Sequence, residues 1–215
     1  MLEVATGETQ TGTARPSAAL LVIDMQHDFV SPDGVFARAG LTIDDPAAII
    51  RAVAELVERF RAAGGLVVWV KMVWDDDAAV GLLAERSPFL SGEGLRRGTR
   101  GAELADGLTP QPGDAVVEKT RFSAFYETEL AALLAEAGIE TVGLCGVRTD
   151  FCVESTVRDA FFRDLRVLVA HDAVDGYFPA LHAGSLRLMG TVFAELLPAA
   201  ELVGRALAPH DPQPK

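Results

Sequence analysis

Cysteine is nearly absent from this chain, which has two, Cys145 and Cys152, in 215 residues. Two thiols cannot build a disulfide framework, and their spacing is unlike that of zinc ligands. Positive charge is also scarce. Lys and Arg number 19 against 31 Asp and Glu, a net charge of −12. Phosphate-rich partners need clustered cations, so nucleic acid and anionic membrane are excluded. No apolar run reaches the roughly 18–20 residues of a membrane span. The opening MLEVATGETQTGTARP lacks the basic and apolar blocks of a secretion signal, which leads us to expect a cytoplasmic protein.

What remains is ordinary for a globular α/β domain, 49% hydrophobic and 23% charged. No repeat or linker suggests a second domain. The expected organisation is a flexible arm over 1–16, one domain over 17–205 containing an insertion at 74–114, and a flexible tail over 206–215.

Apolar stretches bounded by turn residues predict buried strands at 18–24, 66–70, 115–119, 140–145, 166–170 and 191–197. Helical patterns lie between them. Asp44 or Asp45 caps a helix that has Pro46 at its first position and runs to Ala63, with Ile49, Val53, Leu56, Val57 and Phe60 on one face. Further helices are expected from about Glu127 to Ala137, from Val153 onward, and from Pro179 to Gly190, while 25–39 reads as a loop. Strands alternating with helices predict a parallel sheet covered on both faces.

Three of these strands end in reactive residues. The first ends in Asp24, which either lines a ligand site at the carboxyl edge of the sheet or caps the next turn. The third ends in Lys119, a place where a surface lysine is the commoner occupant. After the fourth comes Gly146-Val147-Arg148-Thr149-Asp150-Phe151-Cys152. Gly146 permits a turn, Thr149 or Asp150 can cap a helix, and Cys152 falls in its first turn. A helix N-terminus favours thiolate over thiol, and its N–H groups can hold an oxyanion. Cys145, inside the apolar strand, reads as an inert buried thiol. A lysine cation beside Asp24 and Cys152 lowers the pKa of both, and the carboxylate can accept the thiol proton. The set predicts attack by sulfur on a carbonyl or carbamoyl carbon, through a thioester.

Residues placed beside these strand ends give the expected pocket, namely Phe29, Trp74, Arg121, Phe125, Phe151 and Tyr177, each open to the alternative of packing. Gln26 and His27 are placed to orient Asp24, His171 to stand behind the site, and His182 to pack or meet a partner. The 74–114 stretch, with Arg96, Arg97 and Arg100, either folds over the site and brings cations to the substrate or is a solvated basic loop.

The stretches ALLVIDMQHDFV (19–30), PGDAVVEKTRFSAFYETELAALL (112–134) and GIETVGLCGVRTDFCVESTVRDA (138–160), with GTRGAEL (98–104) and HDAVD (171–175), resemble the isochorismatase-like cysteine hydrolases. The resemblance implies a three-layer αβα sandwich around a six-stranded parallel sheet, with Asp24, Lys119 and Cys152 as catalytic triad. It implies a cis peptide between Val147 and Arg148 and an oxyanion hole from the N–H groups of Arg148 and Cys152. It also implies a homodimer or homotetramer acting on a small-molecule substrate. The Asp-x-His element of the metal-dependent nicotinamidases has no counterpart here, so neither metal nor cofactor is expected. CVESTVRDAFF is most similar to ureidoacrylate and biuret-type amidohydrolases, which favours C–N hydrolysis. A vinyl-ether hydrolase and a non-catalytic scaffold are the alternatives. Arg148 departs from the small residue of many relatives. It either points away from the pocket or reaches a substrate carboxylate.

Overall fold

The computed structural model describes residues 17–208. The expected arm lies outside them, as does the expected tail apart from its first residues, of which Ala206 and Leu207 complete the last helix.

Six parallel strands, β1 (Ala18–Ile23), β2 (Leu66–Met72), β3 (Ala115–Lys119), β4 (Thr141–Val147), β5 (Arg166–Asp175) and β6 (Glu195–Leu197), form one sheet in the order β3-β2-β1-β4-β5-β6. The chain steps one way from β1 to β2 and the other way from β4 to β5. Right-handed crossovers therefore put the connecting helices on opposite faces. Every residue of β1 and β4 is buried, as expected of central strands covered on both sides. The carboxyl ends of β1 and β4 diverge into the crevice where open α/β sheets bind ligands.

Helices α1 (His27–Val30) and α2 (Val35–Arg38) are single turns in the stretch expected to be a loop. Their tertiary anchor is Asp28, whose carboxylate accepts from the N–H groups of Val35 at 3.0 Å and Leu95 at 2.6 Å. The long α3 (Pro46–Ala62) begins as expected, with Asp45 accepting from the Ala48 N–H at 2.8 Å, and buries the predicted stripe. Within the 74–114 stretch lie α4 (Asp77–Val80), α5 (Leu83–Arg86) and two 3-10 turns, Pro88–Leu90 and Arg100–Ala102. Then follow α6 (Leu130–Ala137), α7 (Glu154–Phe161), α8 (Pro179–Val192) and α9 (Ala199–Leu207). Ion pairs Arg158–Glu154 and Arg163–Asp159 brace the outer side of α7 and its C-terminal end at the predicted spacing.

Several element boundaries differ from expectation: β2 and β4 each run two residues further, to Met72 and Val147. α6 starts at Leu130 rather than 127, and β6 at Glu195 rather than 191, because α8 continues through Val192. β5 runs five residues past Ala170, since a register shift lets Val174 and Asp175 pair with Gly146 and Val147. Gly146 is accordingly a strand residue and not a turn. A Cβ there would sit 2.1 Å from the Ile23 carbonyl oxygen, and its φ of 107° suits glycine. That contact holds β4 against β1 one residue before Asp24.

Candidate active site

Asp24, immediately after β1, adopts φ 50° with its N–H bonded to the Val70 carbonyl of β2. Gln26 fixes the chain just beyond, accepting from the Met72 N–H and donating to the carbonyls of Met72 and Ala102 at 2.8–2.9 Å. It orients Asp24 through the backbone. His27 does not, because its ring turns to Ser31 and Asp106.

Lys119 reaches in from the edge strand β3. Its Nζ stands 2.8 Å from Asp24 Oδ2 and 3.1 Å from the Arg121 carbonyl oxygen, and neither charged side chain is exposed. Asp24 Oδ1 has no close hydrogen-bond partner among the described residues. The Cys152 thiol, from the far side of the crevice, lies near enough to interact with both members of the pair. The geometry thus brings Asp24, Lys119 and Cys152 together.

The electrostatics differ from the sequence-based expectation. Burial pushes the Cys152 thiol up, the Asp24 charge adds to that, and Lys119 only partly opposes them. Asp24 is also raised, by burial above all, although Lys119 pulls it down. Lys119 loses to burial but gains more from Asp24 and Cys152, so it too is raised and stays a cation. The expectation was a thiol shifted toward thiolate; the shift at Cys152 runs the other way and favours the protonated thiol. Burial outweighs the helix terminus because removing an anion from water costs more than one dipole end returns. Cys145 is pushed up by burial alone.

Residues Thr149–Val153 form one π turn leading into α7, and neither Thr149 nor Asp150 caps a helix through its side chain. Thr149 Oγ1 instead bonds His182 Nδ1 at 2.9 Å, tying α8 to this turn. The peptide between Val147 and Arg148 is cis. The Arg148 N–H makes no bond to a backbone carbonyl among the described residues.

Cys152, 2% exposed, opens on a cavity of about 70 Å³. Phe29, Phe36, Trp74, Phe122 and Phe151 wall it, and Arg148 is among the lining residues. Leu83, Ser87 and Leu90 of the 74–114 stretch close it from above. Of the predicted pocket residues, Phe29, Trp74 and Phe151 line this cavity and three do not. Arg121 lines a neighbouring open groove, with its guanidinium held by the Ala79 and Thr120 carbonyls. Phe125 is buried away from this cavity and lies under the Arg163 guanidinium, while its neighbour Ala124 donates its N–H to Thr156 Oγ1. Tyr177 stands behind the wall, its hydroxyl donating to the Phe29 carbonyl at 2.9 Å. Phe36 and Phe122 were missed. Phe36 lies in the stretch read as a loop, and Phe122 gives no sign of its direction.

Arg96, Arg97 and Arg100 of the 74–114 stretch are spent on internal pairs. Arg96 bonds Asp77 and the Leu90 carbonyl, Arg97 bonds Asp75 and Glu118, and Arg100 bonds Asp106. They bring no cation to the cavity. His171 is exposed on β5, so it does not stand behind the site. A larger groove of about 380 Å³ runs past Asp28, Arg38, Glu93 and Arg96 and contains none of the three central residues. Among the described residues no cluster of His, Cys, Asp and Glu is arranged to hold a metal ion.

Comparison with known proteins agrees with this geometry. Residues 18–201 match the family model described as the isochorismatase domain. Ureidoacrylate amidohydrolase RutB of Methylorubrum extorquens is 35% identical over 192 residues, covering 82% of this chain and 77% of its own. The crystal structure of an isochorismatase family protein from Desulfovibrio vulgaris superposes with a TM-score of 0.79 at 31% identity, covering 88% of this chain and 98% of that one. N-carbamoylsarcosine amidase from Thermoplasma acidophilum gives 0.69 at 30% identity, covering 85% and 96%.

Proposed function

This chain belongs to the isochorismatase family, and within it we propose a cysteine-dependent amidohydrolase that cleaves the C–N bond of a small amide, ureido or N-carbamoyl substrate and releases ammonia. The observation that carries this reading is the Cys152 thiol beside the fully buried Asp24–Lys119 pair, at the mouth of an enclosed cavity. The names of the relatives, which specify ureidoacrylate and N-carbamoylsarcosine, support C–N chemistry for this chain as well.

The resting thiol is neutral, so its proton leaves as sulfur attacks. Asp24 Oδ1, free of other partners, takes that proton while Sγ bonds the substrate carbon. Lys119 keeps Asp24 ionised until then, and balances the charge at the dyad. The new oxyanion is held by the N–H groups of Arg148 and Cys152. Collapse breaks the C–N bond, and Asp24 returns the proton to the departing nitrogen. Asp24 then takes a proton from water as the water attacks the thioester, and passes it to sulfur as the C–S bond breaks, which restores the thiol and the carboxylate. The 74–114 stretch acts as the lid, through Leu83, Ser87 and Leu90.

The proposal includes assembly as a homodimer or homotetramer through the exposed apolar side of α8, and a cytoplasmic setting in keeping with the two free cysteines. Ammonia release from a panel of amides, ureas and N-carbamoyl compounds tests the reaction, with Cys152→Ala beside wild type. Turnover that falls by at least about 10³-fold in the variant is expected. Equal rates in both proteins, or pyruvate release from isochorismate with no ammonia from the panel, would contradict the reading.

A further inference from the structure

The arginine at position 148 is not explained by the chemistry above, which uses only its backbone. Its side chain is the one charged group among the residues that line the Cys152 cavity, where the rest are apolar apart from Ser87 and Cys152. The residue is only 9% exposed. Its guanidinium carbon lies 4.4 Å from the ring centres of both Phe151 and Tyr177, so two aromatic faces fix the plane of the group.

Asp150 holds one edge of that plane. Nε stands 3.3 Å from Oδ1 and Nη2 2.9 Å from Oδ2, a side-on pair. A guanidinium has five N–H donors in a rigid fork, and the side-on pair uses two of them. The end-on edge, Nη1 with the second hydrogen of Nη2, donates to no protein group among the described residues. Burying a cation in an apolar wall is costly, and Asp150 offsets that cost without consuming the end-on edge.

We propose that Arg148 is the specificity-determining residue of this site, and that its end-on edge takes a carboxylate on the substrate. The substrate class is then an N-carbamoyl or ureido acid whose carboxylate lies a few bonds from the carbon that Cys152 attacks. Two parallel N–H···O bonds match the spacing of carboxylate oxygens, and a neutral ester offers no equivalent pair. Asp150 balances the arginine charge, so selection rests on this paired geometry more than on the field of an uncompensated cation. The inference takes its reaction from the hydrolase reading, but its binding arm is independent of turnover.

Ureidoacetate, 3-ureidopropionate and 4-ureidobutanoate, each beside its methyl ester, form the test series for wild type and Arg148→Met. Wild type is expected to prefer at least one acid over its ester by roughly 10- to 100-fold in kcat/KM, the range of a charged hydrogen-bonded pair. In Arg148→Met that ratio collapses toward one, with the loss for the acid appearing mainly in KM. Arg148→Lys restores part of it. The same pairs are titrated calorimetrically into Cys152→Ala and into Cys152→Ala/Arg148→Met. Acid binding that exceeds ester binding and depends on Arg148 supports the inference even where ammonia release fails, which would count against the hydrolase reading alone. Two outcomes overturn the inference. One is that no acid in the series is preferred in turnover or binding; the other is that the acid-to-ester ratio is the same with and without Arg148.

Discussion

A thiol displaced upward beside a buried carboxylate titrates differently from a free thiolate. Because Asp24 must be ionised to take the Cys152 proton, kcat/KM should fall on the acid side as Asp24 is protonated. Its raised pKa puts that fall above the ordinary carboxylate value of about 3.9. On the alkaline side the rate should stay level past the free-thiol value of about 8.5, since Cys152 and Lys119 both hold their protons longer than usual. A pH-rate profile that climbs with thiol ionisation would contradict the concerted transfer. Lys119→Met removes the cation bonded to Asp24, and the carboxyl pKa should then rise further above its ordinary value. Activity is expected to fall by about 10²–10⁴-fold, a loss read from steady-state rates.

Secondary-structure elements deliver these side chains, and the contact between β1 and β4 sets their spacing. Gly146→Ala should cost about 1–3 kcal/mol from the left-handed φ alone. It should also lower activity, because the new Cβ displaces the Ile23 carbonyl just before Asp24. Thermal unfolding and steady-state rates check the two effects, and a variant with unchanged melting and rate would refute the close approach. The central strands were legible because burial on both faces leaves a continuous apolar run, although β2 and β4 each continue two residues past the end read from it. The one-turn helices at 27–30 and 35–38 were not, since Asp28 holds them through partners as distant as Leu95. The extension of β5 past His171 follows from a register shift against β4, which its own residues do not encode. The meeting of Asp24, Lys119 and Cys152 could be read from the places of all three at strand ends, whereas the direction of Arg121 depends on its contact with Ala79. The raised thiol pKa was beyond the sequence because burial is a property of the packed site.

The chain as a whole is acidic, with a net charge of −12, yet one helix is nearly free of charged side chains. Along α8, Leu181, Leu188 and Val192 are exposed, Arg187 is the helix's one Lys, Arg, Asp or Glu, and Phe178, Phe161 and Phe162 extend the apolar strip. At roughly 200 Å² for a whole aromatic side chain, the exposed apolar area is on the order of 600 Å². That approaches the ~800 Å² each partner contributes to a standard interface. In the homo-oligomer proposed above, two copies with a net charge of −12 would meet along this strip because its helix carries little charge. Leu188→Glu together with Val192→Glu should shift wild-type dimers or tetramers to monomers in sedimentation, with secondary structure retained. An unchanged sedimentation coefficient, or a monomeric wild type, would move the contact elsewhere or remove it.

The covalent step through Cys152 is the centre of the account, and acid-quenched intact-mass spectrometry during turnover of the best panel substrate addresses it most directly. The account predicts a mass gain equal to the acyl or carbamoyl fragment, mapped to the Cys152 peptide, removed by hydroxylamine and absent from Cys152→Ala. Full turnover with no adduct in the wild type, and the same rate in Cys152→Ala, would contradict it.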